Sequence, residues 1–302
     1  MNTVKWFLTR VGIIYFIVFV FFMSCVDLKI LDSRIKIRHL NAVIPNFAGM
    51  IIFSKHHDSS RTVDWTAYKN YFELILRFMP DDAVAKQLLG FVDYHMGQQD
   101  KSIDLFKSVS VINGQGLFWS NYNLGVIYYK KGMLEQASQY LLKAIASNRQ
   151  LTLLIMQNSI IYKQIFASSY FTFSLNDEMN DALSGAYILL LSCLRSQGKY
   201  NQMLVIASKA IDQANLLYKD AFFYYAGLGG MGLGQMENAY LFFQKSISLE
   251  KNNPDVYFYL ADIFQSKGQE AQARKFLEIS YSLHQKNDAR FPYDQKINLR
   301  FF

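Results

Sequence analysis

The chain has few of the residues that are typical of disordered or disulfide-bonded proteins. Only four prolines occur among its 302 residues, whereas phenylalanine occurs 25 times, and this balance argues against disorder. The two cysteines, Cys25 and Cys193, do not make a disulfide framework, and Cys193 is expected to be a small buried apolar residue. Hydrophobic residues make up 51% of the chain, which suffices for a large core or a long stacked one.

Motifs of catalytic or metal chemistry are also missing from the sequence. It contains no nucleophile elbow, no P-loop and no H-E-x-x-H string, and the adjacent His56 and His57 lack zinc-ligand spacing with cysteine. The glycines at 227–232 fit G-x-G-x-x-G, but no alternating strand pattern surrounds them. We therefore expect a protein that is not an enzyme and binds no metal or cofactor. A cofactor-binding or enzymatic subunit that uses this glycine stretch is the less favoured alternative.

The positive charge of the chain does not point to nucleic acid. The formal net charge is +7 and the pI is about 9.1, a balance that suits nucleic acid, anionic lipid or an acidic partner. Lysine and arginine are spread along the chain with one denser stretch near the N-terminus, and no nucleic-acid recognition motif occurs. We expect neither nucleic acid nor a small-molecule substrate among its ligands.

The N-terminal region contains the longest apolar run. Val11–Val26 is free of charge, and only Arg10 interrupts the apolar stretch that begins at Trp6. A bilayer core needs about 20 residues, and an arginine near one end can reach the headgroups. We predict a single-pass anchor or signal segment over residues 1–28, followed by a basic and apolar linker over 29–63.

A cleaved signal segment is the alternative for this region. Phe22-Met23-Ser24-Cys25 resembles a bacterial lipobox, in which the cysteine is lipidated, although Phe22 and Ser24 depart from the usual residues. Lysine and arginine lie on both sides of the apolar run and orient it weakly. Our expectation is a bacterial inner-membrane protein whose remaining chain lies in the periplasm.

Five glycines divide the rest of the chain at nearly regular intervals. Each follows one helical apolar pattern and precedes another, and the spacings are 35, 66, 36 and 34 residues, where 66 is close to two periods; they are Gly97, Gly132, Gly198, Gly234 and Gly268. A helical hairpin repeated at about 34 residues is the signature of a tetratricopeptide array.

The residues around these glycines resemble the tetratricopeptide repeat family. The repeat starting at Phe118 has Leu124, Gly125, Tyr128, Gly132 and Ala137 at the family's packing positions. Further repeats start at Ala83, Ser184, Asp220 and Pro254, and 68–80 resembles the second helix of an incomplete one. The resemblance implies an all-α solenoid of helical hairpins over 64–285 with five to six repeats, a degenerate one at 150–181, and a C-terminal tail over 286–302. It also places the glycines at 227–232 inside a helix.

The resemblance implies a protein-binding function. First-helix positions 2, 5, 9, 12 and 13 of the family face a concave groove, which here would present mostly aromatic side chains: Phe91, Tyr94, Trp119, Tyr122, Tyr129, Lys130, Tyr224 and Phe258. Such a groove suits an apolar or aromatic helix or peptide segment of another protein. The sequence thus predicts a membrane-anchored scaffold that assembles, or is an accessory subunit of, an envelope membrane complex. A lipoprotein resembling the pilotins of pilus and secretin assembly, lipidated at Cys25, is the alternative.

Overall fold

The computed structural model describes residues 64–112, 115–159, 161, 175–286 and 297. These residues form twelve helices and one pair of short strands. In chain order they are α1 Trp65–Phe78, α2 Ala83–His95, α3 Gln99–Ser108, β1 Val111–Ile112, β2 Gln115–Gly116, α4 Phe118–Lys130, α5 Leu134–Ala146, α6 Arg149–Asn158, α7 Leu175–Ser196, α8 Tyr200–Asp212, α9 Lys219–Gly232, α10 Met236–Leu249, α11 Pro254–Ser266 and α12 Glu270–Gln285.

The chain divides into two compact units, Met1–Ala85 and Lys86–Phe302. In the first unit, α1 confirms the helix predicted over 68–80. Asp64 caps its N-terminus by accepting a hydrogen bond from the Ala67 amide at 3.0 Å, and the helix ends before Pro80, which cannot continue it. Its buried side chains lie at helical spacing and include Tyr68, Tyr71, Phe72 and Ile75.

The five spaced glycines all end the first helix of a hairpin in the second unit. Their φ angles lie between 67° and 79°, a left-handed conformation that glycine adopts without steric cost. At Gly132 the amide bonds to the Tyr129 carbonyl at 2.9 Å, and the next amide, of Met133, reaches back to the Tyr128 carbonyl at 2.9 Å. This is a Schellman C-cap, and the same pair of bonds recurs at the other four glycines. The predicted hairpin periodicity is confirmed.

Three hairpins are held by a glycine of the first helix that faces a large side chain of the second. A Cβ built on Gly90 would lie 3.2 Å from Phe106, one on Gly125 would lie 2.7 Å from Leu141, and one on Gly227 would lie 2.5 Å from Phe243. These pairs occupy the same two repeat positions in α2/α3, α4/α5 and α9/α10. The glycines therefore let the paired helices approach closely around buried large side chains.

The glycine run of α9 lets this helix pack closely against both α8 and α10. Gly230 faces the Ala239 backbone of α10, whereas Gly229 faces Leu204 and Gly232 faces Tyr200, both in α8. The run lies inside a helix, as predicted, with α8 on one side and α10 on the other. The dinucleotide string thus has a structural explanation in close helix contact.

The hairpins stack through the second helix of one and the first helix of the next. The contacting pairs are α3 with α4, α5 with α7, α8 with α9, and α10 with α11. Because α5 packs on α7, the hairpin at Gly132 and the hairpin at Gly198 are direct neighbours in the stack. The degenerate repeat expected over 150–181 stays a prediction, since residues 160 and 162–174 lie outside the described part. The helix α7 begins at Leu175, before the expected Ser184, with Asp177 and Glu178 favouring its first turn.

A series of ion pairs follows the turns of the stack. An acidic residue three positions after one turn glycine meets a lysine beside the next turn glycine, at 3.6 Å for Asp100–Lys131, 3.3 Å for Glu135–Lys199 and 2.6 Å for Glu237–Lys267. These partly exposed pairs contribute little stability, about 0–1 kcal/mol each. They do show that neighbouring hairpins keep one register, including the two around Gly132 and Gly198.

The predicted all-α solenoid is confirmed, and it carries one pair of two-residue strands between α3 and α4. The strands β1 and β2 pair in antiparallel register, with Val111 opposite Gly116 and Ile112 opposite Gln115. The Asn113-Gly114 sequence between the strands is typical of a two-residue hairpin turn. The strands were not predicted, because the sequence around them follows a helical pattern.

Within the ranges that the structure describes, no helix combines the length and apolar character needed to cross a bilayer. The predicted anchor at 1–28, and Cys25 with it, lie outside those ranges.

Candidate protein-interaction surface

The candidate surface is formed by the first helices of the hairpins at repeat positions 2, 5, 9, 12 and 13, and we name it the first-helix face. Its members come from α2, α4, α7, α9 and α11 in the second unit. Side-chain exposure divides the eight predicted binding residues into two groups. Phe91, Trp119, Tyr122 and Tyr224 are at most 4% exposed, whereas Tyr94 and Tyr129 are half-buried and Lys130 and Phe258 are exposed.

The buried group packs inside the stack. Trp119 and Tyr122 are both 0% exposed and form an aromatic cluster with Phe118, whose ring centroid lies 4.9 Å from that of Trp119. Tyr224 packs against Phe243 at 6.3 Å between ring centroids. In this structure these side chains stabilise the fold and offer no appreciable surface to a partner. A binding role is therefore a proposal only for the more exposed residues.

The half-buried Tyr129 links two neighbouring first helices. Its hydroxyl lies 2.9 Å from the Ser192 hydroxyl of α7, within hydrogen-bond distance. This bond joins repeat position 12 of α4 to position 9 of α7. Lys130 follows on the exposed side, so the pair presents one aromatic and one cationic group on the first-helix face.

An arginine at the end of α7 reaches two later hairpins. Arg195 donates hydrogen bonds to the hydroxyl oxygens of Tyr224, at 3.4 Å, and Tyr259, at 2.5 Å. Its guanidinium also lies 5.7 Å from the ring centroid of Tyr259, a cation–π distance. Among the described residues no carboxylate forms an ion pair with Arg195, and its side chain is partly exposed.

The two tyrosines are held in place by the aromatic rings around them. Tyr259 stacks on Phe243 at 5.9 Å with an interplanar angle of 11°, and its ring also lies 6.1 Å from that of Tyr224. Phe258, 51% exposed, stands edge-on to Tyr259 at 5.4 Å. The solvent-exposed ring of Phe258 and the guanidinium of Arg195 thus both contact Tyr259. We call Arg195, Tyr224, Phe258 and Tyr259 the Arg195 cluster.

The electrostatics of the Arg195 cluster favour the charged arginine and the neutral tyrosine. Burial alone disfavours the guanidinium charge, but the hydroxyls of Tyr224 and Tyr259 outweigh it, and the pKa of Arg195 is raised above its ordinary value. Burial, reinforced by the nearby Asp255, raises the pKa of Tyr224 well above its ordinary value. The cluster therefore presents a fixed positive charge at any physiological pH.

The sequence reasoning missed Arg195 and Tyr259. Arg195 occupies position 12 of the repeat starting at Ser184, the position that Tyr94 and Tyr129 hold in their own repeats. The family's groove positions, counted from Ser184, therefore include Arg195. Tyr259 lies at position 6 of its repeat, which the family pattern does not assign to the groove. It joins the surface only because the long side chain of Arg195 reaches its hydroxyl.

Stacked helical hairpins closed by a left-handed glycine, with small residues set against large ones, define the class as a helical-repeat protein. Two stretches of the chain, residues 120–151 and 242–275, match family models described as tetratricopeptide repeat. The predicted repeats are confirmed at these two places. No curated protein matches the chain.

The chain is also similar to solved structures at low sequence identity. One is a structure titled "Crystal structure of YrrB: a TPR protein with an unusual peptide-binding site", with 12% identity, a TM-score of 0.50, and coverage of 75% of this chain and 98% of that one. Another is MamA from Desulfovibrio magneticus RS-1, with 14% identity, a TM-score of 0.48, and coverage of 69% and 98%. A further MamA crystal structure has 17% identity, a TM-score of 0.47, and coverage of 67% and 98%.

Proposed function

We propose that this chain is a membrane-anchored tetratricopeptide scaffold that binds a segment of another protein on the first-helix face. It would serve as an assembly factor or accessory subunit of an envelope membrane complex, through recognition alone and without covalent chemistry. The observation that carries the proposal is that the exposed ring of Phe258 and the cation of Arg195 both contact Tyr259. The YrrB structure, whose title names a peptide-binding site, supports peptide binding by analogy of fold.

The Arg195 cluster suggests the chemistry of the bound segment. The exposed Phe258 offers an apolar anchor, so the partner would contribute an apolar or aromatic side chain. Arg195 already donates to two neutral hydroxyls, and its remaining N–H donors suit an acidic group of the same segment. Tyr94, Tyr129 and Lys130 would extend the contact along the first-helix face.

Affinity capture from solubilised membranes tests this function. The full chain and its Phe258→Ala variant are compared, because an exposed ring can be removed with little effect on the core. Leu241→Ala is the matched control, since Leu241 is 57% exposed on the second helix α10. We expect the same partner with wild type and Leu241→Ala, and less of it with Phe258→Ala. Equal recovery with all three would refute the assignment of the surface.

The membrane anchor is part of the same proposal and rests on the sequence of residues 1–28. Anchoring would raise the effective concentration of the repeats near membrane partners. The anchor predicts that the full chain stays with membranes after an alkaline carbonate wash, and that a chain without residues 1–28 does not. The alternative lipoprotein, resembling the pilotins, requires cleavage before Cys25. An intact mass that includes residues 1–24 eliminates the lipoprotein, whereas a lipidated Cys25 at the mature N-terminus eliminates the uncleaved anchor.

The periplasmic location of the repeats is likewise a proposal. A membrane-impermeant protease added to spheroplasts would degrade the repeats if they face the periplasm. Degradation only after lysis would place them in the cytoplasm. The partner sought by affinity capture differs between these two outcomes, so this experiment precedes the identification of the complex.

A further inference from the structure

Two distant parts of the chain meet at Gly185. Ile297, the one residue after Lys286 that the structure describes, is half-buried and lies against this glycine of α7. A Cβ built on Gly185 would be 3.5 Å from Cγ2 of Ile297 and 3.3 Å from the hydroxyl oxygen of Tyr122 in α4. The side chains of Ile297 and Tyr122 therefore meet at Gly185, which has no side chain of its own.

The position of Gly185 distinguishes it from the other helical glycines. Gly125 and Gly227 have their nearest neighbours in the second helix of their own hairpin, and Gly229 has them in α8. The nearest atoms to Gly185 instead belong to Tyr122 and to the C-terminal segment. Glycine in a helix interior costs about 1 kcal/mol against alanine. Here the missing side chain lets Tyr122 and Ile297 lie close to the helix, and we name this contact position the Gly185 notch.

The Gly185 notch belongs to the first-helix face. Gly185 holds position 2 of the repeat starting at Ser184, and Tyr122 holds position 5 of the repeat starting at Phe118. Ten residues lie between Lys286 and Ile297, and the eleven Cα-to-Cα steps between them can span up to about 36–40 Å, so Ile297 can lie well away from the end of α12.

We propose that Ile297 is an internal ligand of the first-helix face and that its side chain fills the Gly185 notch. The inference rests on the proposed function, because an outside segment would compete with Ile297 for this part of the face. A partner that replaces Ile297 has to present a branched aliphatic side chain of similar size. Binding of the partner would then displace Ile297 from the notch.

Cross-linking in the full chain tests the contact directly. A chain with Cys25→Ser and Cys193→Ala receives Gly185→Cys and Ile297→Cys and is treated with a short thiol-to-thiol cross-linker. The control pairs Ile297→Cys with Leu241→Cys, since Leu241 is exposed on α10. We expect the 185–297 pair to cross-link severalfold faster than the 241–297 pair. Equal rates would overturn the proposal.

Hydrogen exchange covers the case in which Gly185→Cys disturbs α7. Ile297→Asp leaves all helices unaltered and places a charge at the notch, whereas Ile297→Val keeps a branched aliphatic side chain. We expect faster exchange in the peptides that contain Tyr122 and Gly185 for Ile297→Asp, and wild-type exchange for Ile297→Val. Unchanged exchange in both variants would refute the internal ligand.

These two measurements need no outside partner, so they can fail or succeed independently of the proposed function. A link to competition comes from affinity capture with the chain cross-linked at 185 and 297. We expect the cross-linked chain to recover severalfold less partner than the same chain before cross-linking. Equal recovery would show that the contact does not regulate the face.

Discussion

Gly227 of α9 lies so close to Phe243 of α10 that a Cβ built on the glycine would be 2.5 Å from the phenylalanine ring. The ring is 0% exposed and is stacked on Tyr259 at 5.9 Å, so it has little room to move. Phe243 thereby connects the packing of one hairpin to the Arg195 cluster on the first-helix face. The glycine at this position serves both the fold and the surface that we propose to bind a partner.

Gly227→Ala is expected to destabilise the protein, because the new methyl group overlaps a buried ring. Overpacking of this kind costs about 1–3 kcal/mol, against a gain of about 1 kcal/mol in helix propensity. Gly229→Ala is the matched control, since its Cβ would lie 3.4 Å from Leu204, close to ordinary contact. Thermal unfolding of the solubilised full chain, followed by circular dichroism, should show a lower midpoint for Gly227→Ala only. A lower midpoint for Gly229→Ala alone would contradict the packing described for α9.

Gly132→Ala should also destabilise the protein, because the backbone at this position is left-handed. Its φ is 73°, and no atom lies within 4 Å of the added Cβ, so the cost is backbone strain without a clash. That strain is about 1–2 kcal/mol for an L-residue in the left-handed region. Gly132→Asn should lose less, because asparagine tolerates this conformation better than alanine. Urea unfolding of the three chains checks the order, and equal midpoints for alanine and asparagine would argue against the left-handed cap.

The ion pair between Glu135 and Lys199 tests whether the hairpins at Gly132 and Gly198 are neighbours. Its atoms are 3.3 Å apart and both side chains are partly exposed, so a double-mutant cycle with Glu135→Ala and Lys199→Ala should give a coupling of about 0.2–1 kcal/mol. The coupling should decrease at high salt, where surface charges are screened. If an intervening repeat separated these hairpins, the two substitutions would be additive at every salt concentration.

Arg195→Met is expected to weaken partner binding and also to lower the stability by about 1–3 kcal/mol, because the buried hydroxyl of Tyr224 loses a donor. The substitution keeps an apolar stem over the tyrosines and removes the charge proposed to meet an acidic group. Partner recovery with wild type should fall as salt is raised, whereas recovery with Arg195→Met should be lower at low salt and insensitive to it. A variant that keeps the salt sensitivity of wild type would show that Arg195 does not supply the charge.

The sequence predicted the hairpins well because their determinants are local. A glycine at each helix end is required by a left-handed cap, and glycine or alanine at the packing positions is required by close helix contact. Both requirements follow the repeat period and can be read without knowing which hairpins touch. The glycines at 227–232 were placed correctly in a helix for the same reason.

The surface was predicted less well because exposure depends on neighbours that are distant in sequence. Trp119 and Tyr122 occupy family groove positions, yet both are fully buried in an aromatic cluster. Their substitution would disturb the core, which makes Phe258 the better residue for testing the surface. Arg195 donates a hydrogen bond to Tyr259, 64 residues later in the chain, and no local sequence pattern predicts such a contact. Likewise, the direct packing of α5 on α7 could not be inferred from a spacing of about two periods.

Site-specific photo-cross-linking tests most directly the claim that the first-helix face binds another protein. A photoreactive phenylalanine analogue is placed at position 258 of the full chain in intact cells and, as the control, at position 241. The account predicts a cross-linked adduct with one other protein from position 258, weakened by Arg195→Met, and none from position 241. Adducts from position 241 but not from position 258 would contradict it.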